Sequence, residues 1–387
     1  MRRTIHRRPL LMGVALLLAM GLVAACSSSA PATAPTSKPA APAAAAPTTA
    51  PAAPTAAPKA AQPAAAAPAQ LTKVRVGWAV APHMALEGVA LAKGWFKEAG
   101  LDVELTAFDT GAPLFEAMAA GKLDMGITGS TPTISVSAAQ APAIYFVGSH
   151  GESTGVFTIV SRKGINSPAD VKGKTGITAK GSVNHYFLDL MLDKYGLTEK
   201  ELTLVHMEMA DAVTAFVANQ GDFASIGTAF WPQILAKAQD SKILFTGSDL
   251  SASTGKQMNV RIFEVTTASK DFADKNPDAV TKFVDVLYNK THNYFNDPAT
   301  KAQARQDLAA WLKTTVNFNQ SVDDLSKMLD PVKYYTAAEQ VKLFQDGTFK
   351  ASMEAQAKFL TDNNQLKKTI PFDSWANPKF VQAAAKK

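Results

Sequence analysis

The sequence predicts an α/β protein of two lobes joined by a hinge, each lobe a mostly parallel sheet flanked by helices, and three observations carry that prediction. Residues 91–132 alternate short apolar strands with helix starts and stops, the βαβα rhythm of a parallel sheet. The stretch Phe115-Glu116-Ala117-Met118-Ala119-Ala120-Gly121-Lys122-Leu123-Asp124-Met125-Gly126-Ile127-Thr128-Gly129 is echoed by 213–227, so one unit is used twice. About 317 residues follow Leu71, more than one core usually serves.

The chain before Leu71 is of another kind. Arg2, Arg3, Arg7 and Arg8 precede an apolar run over 10–25 that is shorter than a membrane span needs, so 1–25 reads as a secretory signal. Val23-Ala24-Ala25-Cys26 resembles the lipobox of bacterial lipoproteins, which implies that Cys26 becomes a lipidated first residue holding the chain at the outer face of the cell membrane or in the periplasm. Cys26 is the sole cysteine, so no internal disulfide can form. Residues 26–70 are Ala, Pro, Thr and Ser for the most part, with ten of the 22 prolines and no acidic residue. Such a stretch cannot bury a core and is expected as a disordered linker, with a reach on the order of 100 Å at ~3.1 Å per residue.

The basic balance belongs to this leader. Of 39 Lys and Arg against 33 Asp and Glu, six basic and no acidic residues lie in 1–70, which leaves the folded part formally neutral. A general basic face for nucleic acid is therefore not expected.

The folded part divides as lobe 1 over 71–162, lobe 2 over 163–256, and a return to lobe 1 with C-terminal helices over 257–387. In lobe 1, strands are expected over 74–78, 101–105, 125–128, 144–147 and 156–160, with helices from Pro82 to about Lys93, from Gly111 to Gly121, and from Ser130. The first crossover is expected at 162–168, where Lys163-Gly164 leads to the turn Asn166-Ser167-Pro168. In lobe 2, strands over 175–178 and 203–207 flank a helix running from Ser182 to Tyr195. In the echoed units a helix ends at Gly, an Asp follows, and a strand delivers Gly with Ser130 or Thr228. Asp124 and Asp222 are read as turn and cap residues. A strand over 259–266 returns to lobe 1, followed by helices over 277–295, 301–314, 337–345 and 373–385, whose Phe283, Tyr294, Phe295, Trp311 and Phe344 read as core.

In parallel α/β sheets ligands sit beyond the carboxyl ends of the strands, against helix N-termini with free N–H groups. Five such starts carry small or hydroxyl residues: Ala81-Pro82-His83, Thr110-Gly111, Ser130-Thr131-Pro132, Gly181-Ser182 and Thr228 before Trp231-Pro232. They suit a small anion held by backbone N–H groups and hydroxyls. Trp78, Phe108, Phe230 and Trp231 stand near these starts as candidate walls for an apolar or planar ligand body. His83 and His185 lie near starts in opposite lobes and would face each other across the cleft. No enzyme signature accompanies them: Gly173-Lys174-Thr175 lacks the rest of a phosphate loop, G-x-S-x-G is absent, and the six histidines have no metal-ligand spacing.

Three segments then resemble a known family: 90–101 (Ala90 to Leu101), 116–124 with Gly129-Ser130-Thr131-Pro132, and in the second lobe Asp170-Val171-Lys172-Gly173-Lys174 with Lys180-Gly181-Ser182-Val183-Asn184-His185-Tyr186. Over about 72–385 the chain resembles the substrate-binding proteins of ABC importers, in the group that binds nitrate, sulfonates, taurine and a thiamine pyrimidine precursor. The resemblance implies a type II periplasmic-binding-protein fold that closes over one small molecule and delivers it to an ABC permease and its ATPase, both separate chains. It implies a monomer with no cofactor, metal or catalytic residue. It carries ligand contact to Ser130 and Thr131 in one lobe and Ser182, Val183 and Asn184 in the other, with His83 and Trp231 beside them. Phe108, Thr110, His185 and Thr228 complete the expected ligand set from their positions at helix starts. Taurine would want a carboxylate for its amine, but Phe230-Trp231-Pro232 brings none and leaves only Asp109 or Glu152 as weaker candidates, which counts against taurine and leaves an unsubstituted or aromatic sulfonate, a nitrate-like anion or a heterocycle as the expected solute. An enzyme on the same fold acting on a pyrimidine, and a tethered ligand-sensing module, are the alternative functions.

Overall fold

The computed structural model describes residues 70–108, 110–139, 143–227, 230, 234, 236–251 and 261–387. Cys26 with the signal and nearly all of the linker, Asp109, Thr228 and Trp231 lie outside the described residues. From Gln70 onward the chain builds two five-stranded mixed sheets with flanking helices.

In the first sheet the order is β2-β1-β3-β10-β4, with β1 Thr72–Ala79, β2 Leu101–Phe108, β3 Met125–Gly129, β4 Ile144–Glu152 and β10 Phe263–Ser269. The second runs β7-β6-β8-β5-β9, with β5 Phe157–Arg162, β6 Thr175–Thr178, β7 Thr203–His206, β8 Phe223–Gly227 and β9 Ser241–Thr246. Only the fourth strand in each order, β10 and β5, runs antiparallel to its neighbours. Each is the strand by which the chain enters that lobe from the other.

This topology moves the first crossover. The strand expected over 156–160 as the end of lobe 1 is β5 of the second sheet, so the chain crosses at Ser153 through a single turn over Thr154–Val156. All six residues of β5 are buried, as suits a strand hydrogen-bonded on both edges and covered on both faces. The returning strand is β10, and its partner segment lies beside the outgoing one: Ser153 N donates to Ile262 O at 2.8 Å, and Ile262 N donates to Thr154 Oγ1 at 3.0 Å.

Local chemistry explains most element ends. Leu101 and Val103 are buried and Asp102 and Glu104 exposed, the alternation expected of a strand with one wet face. Helix α1 (Leu86–Ala92) follows one turn over Pro82–Met84, and α2 (Trp95–Glu98) leads into β2. Helix α3 (Gly111–Ala119) ends with Gly121 at φ 68°. Helix α6 (Met209–Val217) ends with Asn219 at φ 63° in the equivalent place, so Asn219 rather than Gly221 supplies the left-handed turn in lobe 2. Helices α4 (Ser130–Ala139) and α5 (Val183–Lys194) start at the carboxyl ends of β3 and β6.

After β10 the chain is helical. The run expected over 277–295 is continuous but passes through a wide turn at Val286–Thr291, where Thr291 Oγ1 donates to Val286 O at 2.8 Å. The expected final helix is split by Asn377-Pro378 into a turn over Phe372–Ser374 and a helix over Lys379–Ala384, because a residue before proline avoids the helical region. Strand β9 and the helices Val322–Leu329 and Thr348–Asp362 were not anticipated from the sequence.

Lobe 1 packs around Trp78, Phe96 and Phe283, the two phenylalanines stacked at 5.0 Å. A second apolar cluster runs from Phe146 in lobe 1 through Phe349 and Phe359 to Tyr186 and Phe187 in lobe 2. Each buried phenylalanine contributes about 1.5–3 kcal/mol, so the helix Thr348–Asp362 that carries Phe349 and Phe359 ties the lobes together.

Candidate functional site

The carboxyl ends of β1 and β3 in lobe 1 face the start of α5 in lobe 2, and the point of approach is narrow. A Cβ built on Gly129 would stand 3.3 Å from Val183 Cγ2 and 3.7 Å from Glu264 Oε2. Gly129 ends β3, Glu264 is its register partner on β10, and Val183 is the first residue of α5. A Cβ built on Gly111 would stand 2.7 Å from Pro132 Cβ and 2.8 Å from Thr128 Oγ1, so glycine there lets the starts of α3 and α4 draw together behind this point.

Glu264 is the residue that reading the sequence did not find. It is 2% exposed; His83 Nε2 lies 3.1 Å from Oε1, and Oε2 has no hydrogen-bond partner. Burying a carboxylate oxygen without a donor is costly, so Oε2 marks a place that a donor is built to fill. No local signal shows it, because Phe263-Glu264-Val265-Thr266 reads as an ordinary strand and its significance comes from a partner 181 residues away.

Two expected contacts share this property. Thr131 is fully buried with Oγ1 unpartnered, and Asn184 Oδ1 is likewise buried and unpartnered while its carbonyl accepts from Ser225 Oγ at 2.7 Å. Thr178, at the end of β6, adds a second unpartnered hydroxyl. Val183 is placed by its approach to Gly129.

Other expected residues are engaged within the protein. Ser130 Oγ donates to Gln356 Oε1 at 2.5 Å, in the helix Thr348–Asp362. Ser182 caps α5, accepting from His185 N at 3.3 Å and donating to Ala179 O at 2.7 Å. His185 Nδ1 accepts from Gly181 N at 3.1 Å, so the ring proton sits on Nε2, 2.7 Å from Glu199. Ser182 is thus a one-way cap, and His185 reaches past it to the N–H of Gly181, the residue before the cap, while Ser182 N donates to Ala179 O at 3.2 Å. His83 and His185 therefore do not face each other: one pairs with Glu264 in lobe 1, the other with Gly181 and Glu199 in lobe 2.

Thr110 precedes α3 and is exposed, with no capping bond. Phe108 packs over Gly77 and with Leu114 and Leu123. Trp78 is core rather than a ligand wall, fully buried and 5.4 Å from Trp311. Phe230 packs beside Ile226 and Ile234. Glu152 is occupied by Tyr335 Oη at 2.5 Å and Arg261 Nη1 at 3.2 Å.

Asp124 and Asp222 stand at the far ends of the sheets. Asp124 Oδ2 accepts from Arg75 N, and Asp222 Oδ2 from Thr175 N, both at 2.8 Å; each thus closes the start of a first strand. Behind the site, His150 Nε2 lies 3.7 Å from Glu87 Oε2, both side chains almost wholly buried. Burial pushes the Glu87 carboxyl up to about 8. Burial, with repulsion from His83, pushes the His150 imidazole down to about 3. Among the described residues no His, Cys, Asp or Glu group could hold a metal ion, and no helix is long and apolar enough to cross a membrane.

Two lobes meeting over unpartnered polar atoms, with both crossovers on one side, define a binding protein of the periplasmic-binding-protein fold. The chain belongs to the family described as NMT1/THI5 like, whose profile matches residues 81–301. It is 25% identical over 329 residues to a taurine-binding periplasmic protein of Escherichia coli, covering 82% of this chain and 95% of that one. A putative aliphatic sulfonates-binding protein of Bacillus subtilis is 27% identical over 317 residues, covering 78% and 89%. The solved periplasmic aliphatic sulphonate-binding protein of Escherichia coli superposes with a TM-score of 0.64 at 19% identity, covering 80% of this chain and 99% of that one. The periplasmic nitrate-binding protein of Synechocystis does so with 0.57 at 13%, covering 82% and 89%; at these identities the likeness establishes the fold.

Proposed function

We propose that this protein is the exported solute-binding component of an ABC importer, and that it captures a small sulfonate-class anion whose other end is an amine or similar N–H donor. It is a binder and not an enzyme, and hands its solute to a permease and ATPase on other chains. Cys26 carries a lipid anchor, and the Ala- and Pro-rich linker lets the lobes stand off the membrane.

One observation carries the ligand class: the buried Oε2 of Glu264, unpartnered at the junction of the lobes. The N–H groups that open α5 and the hydroxyl of Thr131 suit the anionic head, and Glu264 suits the cationic end. A bare inorganic anion offers Oε2 nothing and meets its charge, which favours an organic zwitterion such as taurine over nitrate. Support for the sulfonate class also comes from what the relatives are named to bind.

The test is calorimetry and thermal melting of the full-length protein with taurine, ethanesulfonate and nitrate. Taurine should bind at least about tenfold more tightly than ethanesulfonate, since a hydrogen bond to a charged partner contributes about 1.5–3 kcal/mol. Glu264→Gln should abolish that preference. Equal affinity for the two sulfonates, or no raised melting temperature with any of the three, defeats the reading.

A further inference from the structure

Four titratable side chains run inward from the cleft through lobe 1: Glu264, His83, His150 and Glu87. Glu264 Oε1 stands 3.1 Å from His83 Nε2, and His150 Nε2 stands 3.7 Å from Glu87 Oε2. The inner pair is sealed, with neither ring nitrogen of His150 and neither carboxyl oxygen of Glu87 making a hydrogen bond. The outer pair is not: the His83 side chain is 14% exposed against 1% for His150. A proton exchanged with solvent in this row is therefore carried by His83.

The surroundings of His83 leave Glu264 as its one carboxylate partner. From β10 it meets Glu264; from β4 comes His150 and from α1 Glu87, both held neutral at pH 7 by burial. From the segment before Thr336, Tyr334 Oη donates to the His83 carbonyl at 3.2 Å. The neighbouring helix Val322–Leu329 buries Leu325, Met328 and Leu329, while its Asp324 pairs with Lys327. Arg305, on the helix Lys301–Val316, pairs with Asp330 at 2.5 Å.

We propose that His83 is a positioning residue which stands charged against Glu264 in the empty site and releases a proton to solvent when a ligand's ammonium group takes that carboxylate, so that capture is proton-linked. This rests on the reading that the ligand brings a cationic end to Glu264. The charge balances: an imidazolium facing the carboxylate is exchanged for an ammonium facing it, and the proton lost to water is the one on Nδ1, so that Nε2–H still donates to Oε1. Two cations crowded on one carboxylate would repel, which is why the imidazole gives way.

Because the imidazolium must give up its proton for the ammonium to bind, affinity for an ammonium-bearing ligand should rise with pH while the ring is charged in the empty site and level off once it is neutral. Calorimetry of taurine on the full-length protein, in two buffers of different ionisation heat, should show proton release on the rising limb of that profile and almost none on its plateau. His83→Gln keeps an N–H donor near Oε1. Its taurine affinity should no longer rise with pH, and the proton release should be gone. A variant that keeps the parent's pH profile overturns the proposal. A ligand-free measurement separates it from the ligand class: histidine NMR titration should find His83 losing its proton at lower pH in Glu264→Gln. An unchanged titration overturns the pairing even if taurine binds. If the titration shifts while taurine and ethanesulfonate both fail to bind, the ligand class falls and the pairing stands.

Discussion

The two lobes are alike at one end and different at the other. At the ends away from the cleft the same device recurs: a left-handed residue, three positions on an aspartate, and a 2.8 Å bond from that aspartate to the N–H of a strand residue. At the cleft lobe 1 presents a buried acid with a histidine behind it, and lobe 2 a helix start whose cap is complete within itself. Scaffold has been repeated where each lobe must fold, and chemistry has diverged where the lobes meet, so the two walls of the junction are unlike.

The comparison can be broken most strongly at the repeated aspartates. Asp124 also holds the Arg75 guanidinium, through Nη2 at 2.6 Å and Nε at 3.0 Å, whereas Asp222 has only the backbone bond to offer Thr175. Asp124→Ala should cost about 2–3 kcal/mol in urea unfolding, since the Arg75 side chain is 37% exposed and stays solvated without its partner, and Asp222→Ala about 1–2. Equal costs would show that the shared backbone bond, and not the arginine, sets the stability of this corner.

A smaller effect distinguishes the interior of lobe 1. The Glu87 carboxyl, raised in the fold to about 8, stabilises fully below its unfolded value near 4.3, and that stability is lost as pH rises through 8. The His150 imidazole, lowered to about 3, works the other way: its stability is lost as pH falls below about 6.5. Between roughly pH 4.3 and 6.5 the folded and unfolded pair each carry one proton, so the pair leaves the stability curve flat there. Glu87→Gln should remove the loss between pH 6.5 and 8, worth about 1–3 kcal/mol, and make the acid-side loss begin near pH 6.5 instead of near 4.3. Melting temperatures measured from pH 4 to 9 decide it.

The smallest effect sharpens the likeness itself. Gly121→Ala should cost about 1–2 kcal/mol through backbone strain alone, since nothing stands within 4 Å of the added carbon. Asn219→Gly should be neutral or stabilising by a few tenths, read by the same unfolding curves.

What could be read in the sequence was whatever local chemistry dictates. Ser182 caps a helix because it precedes an apolar run, and Gly121 ends one because it is free to turn left. The echo between 115–129 and 213–227 survives because both copies must meet the same backbone demand. Membership of a sheet is not local: β5 looks like any buried strand, and only its pairing with β8 and β9 places it in lobe 2. The site was legible in half for the same reason. Thr131 and Asn184 stand at helix starts that the sequence marks, whereas Glu264 and His83 meet across 181 residues. Hydroxyls such as Ser130 and Ser182 looked free for a ligand because their protein partners, Gln356 and Ala179, follow from tertiary packing and cap geometry.

The paired crossovers also shape the motion available to the molecule. A single connecting strand could twist about its own axis and let one lobe swivel against the other. Here Ser153 and Thr154 are bonded to Ile262, and Glu152 exchanges two further bonds with Lys333, N to O at 2.8 and 3.0 Å. Strands fastened side by side resist torsion and yield to bending across their common plane. Any movement of the lobes is thereby limited to a fold along one line, which would keep Val183 facing Gly129.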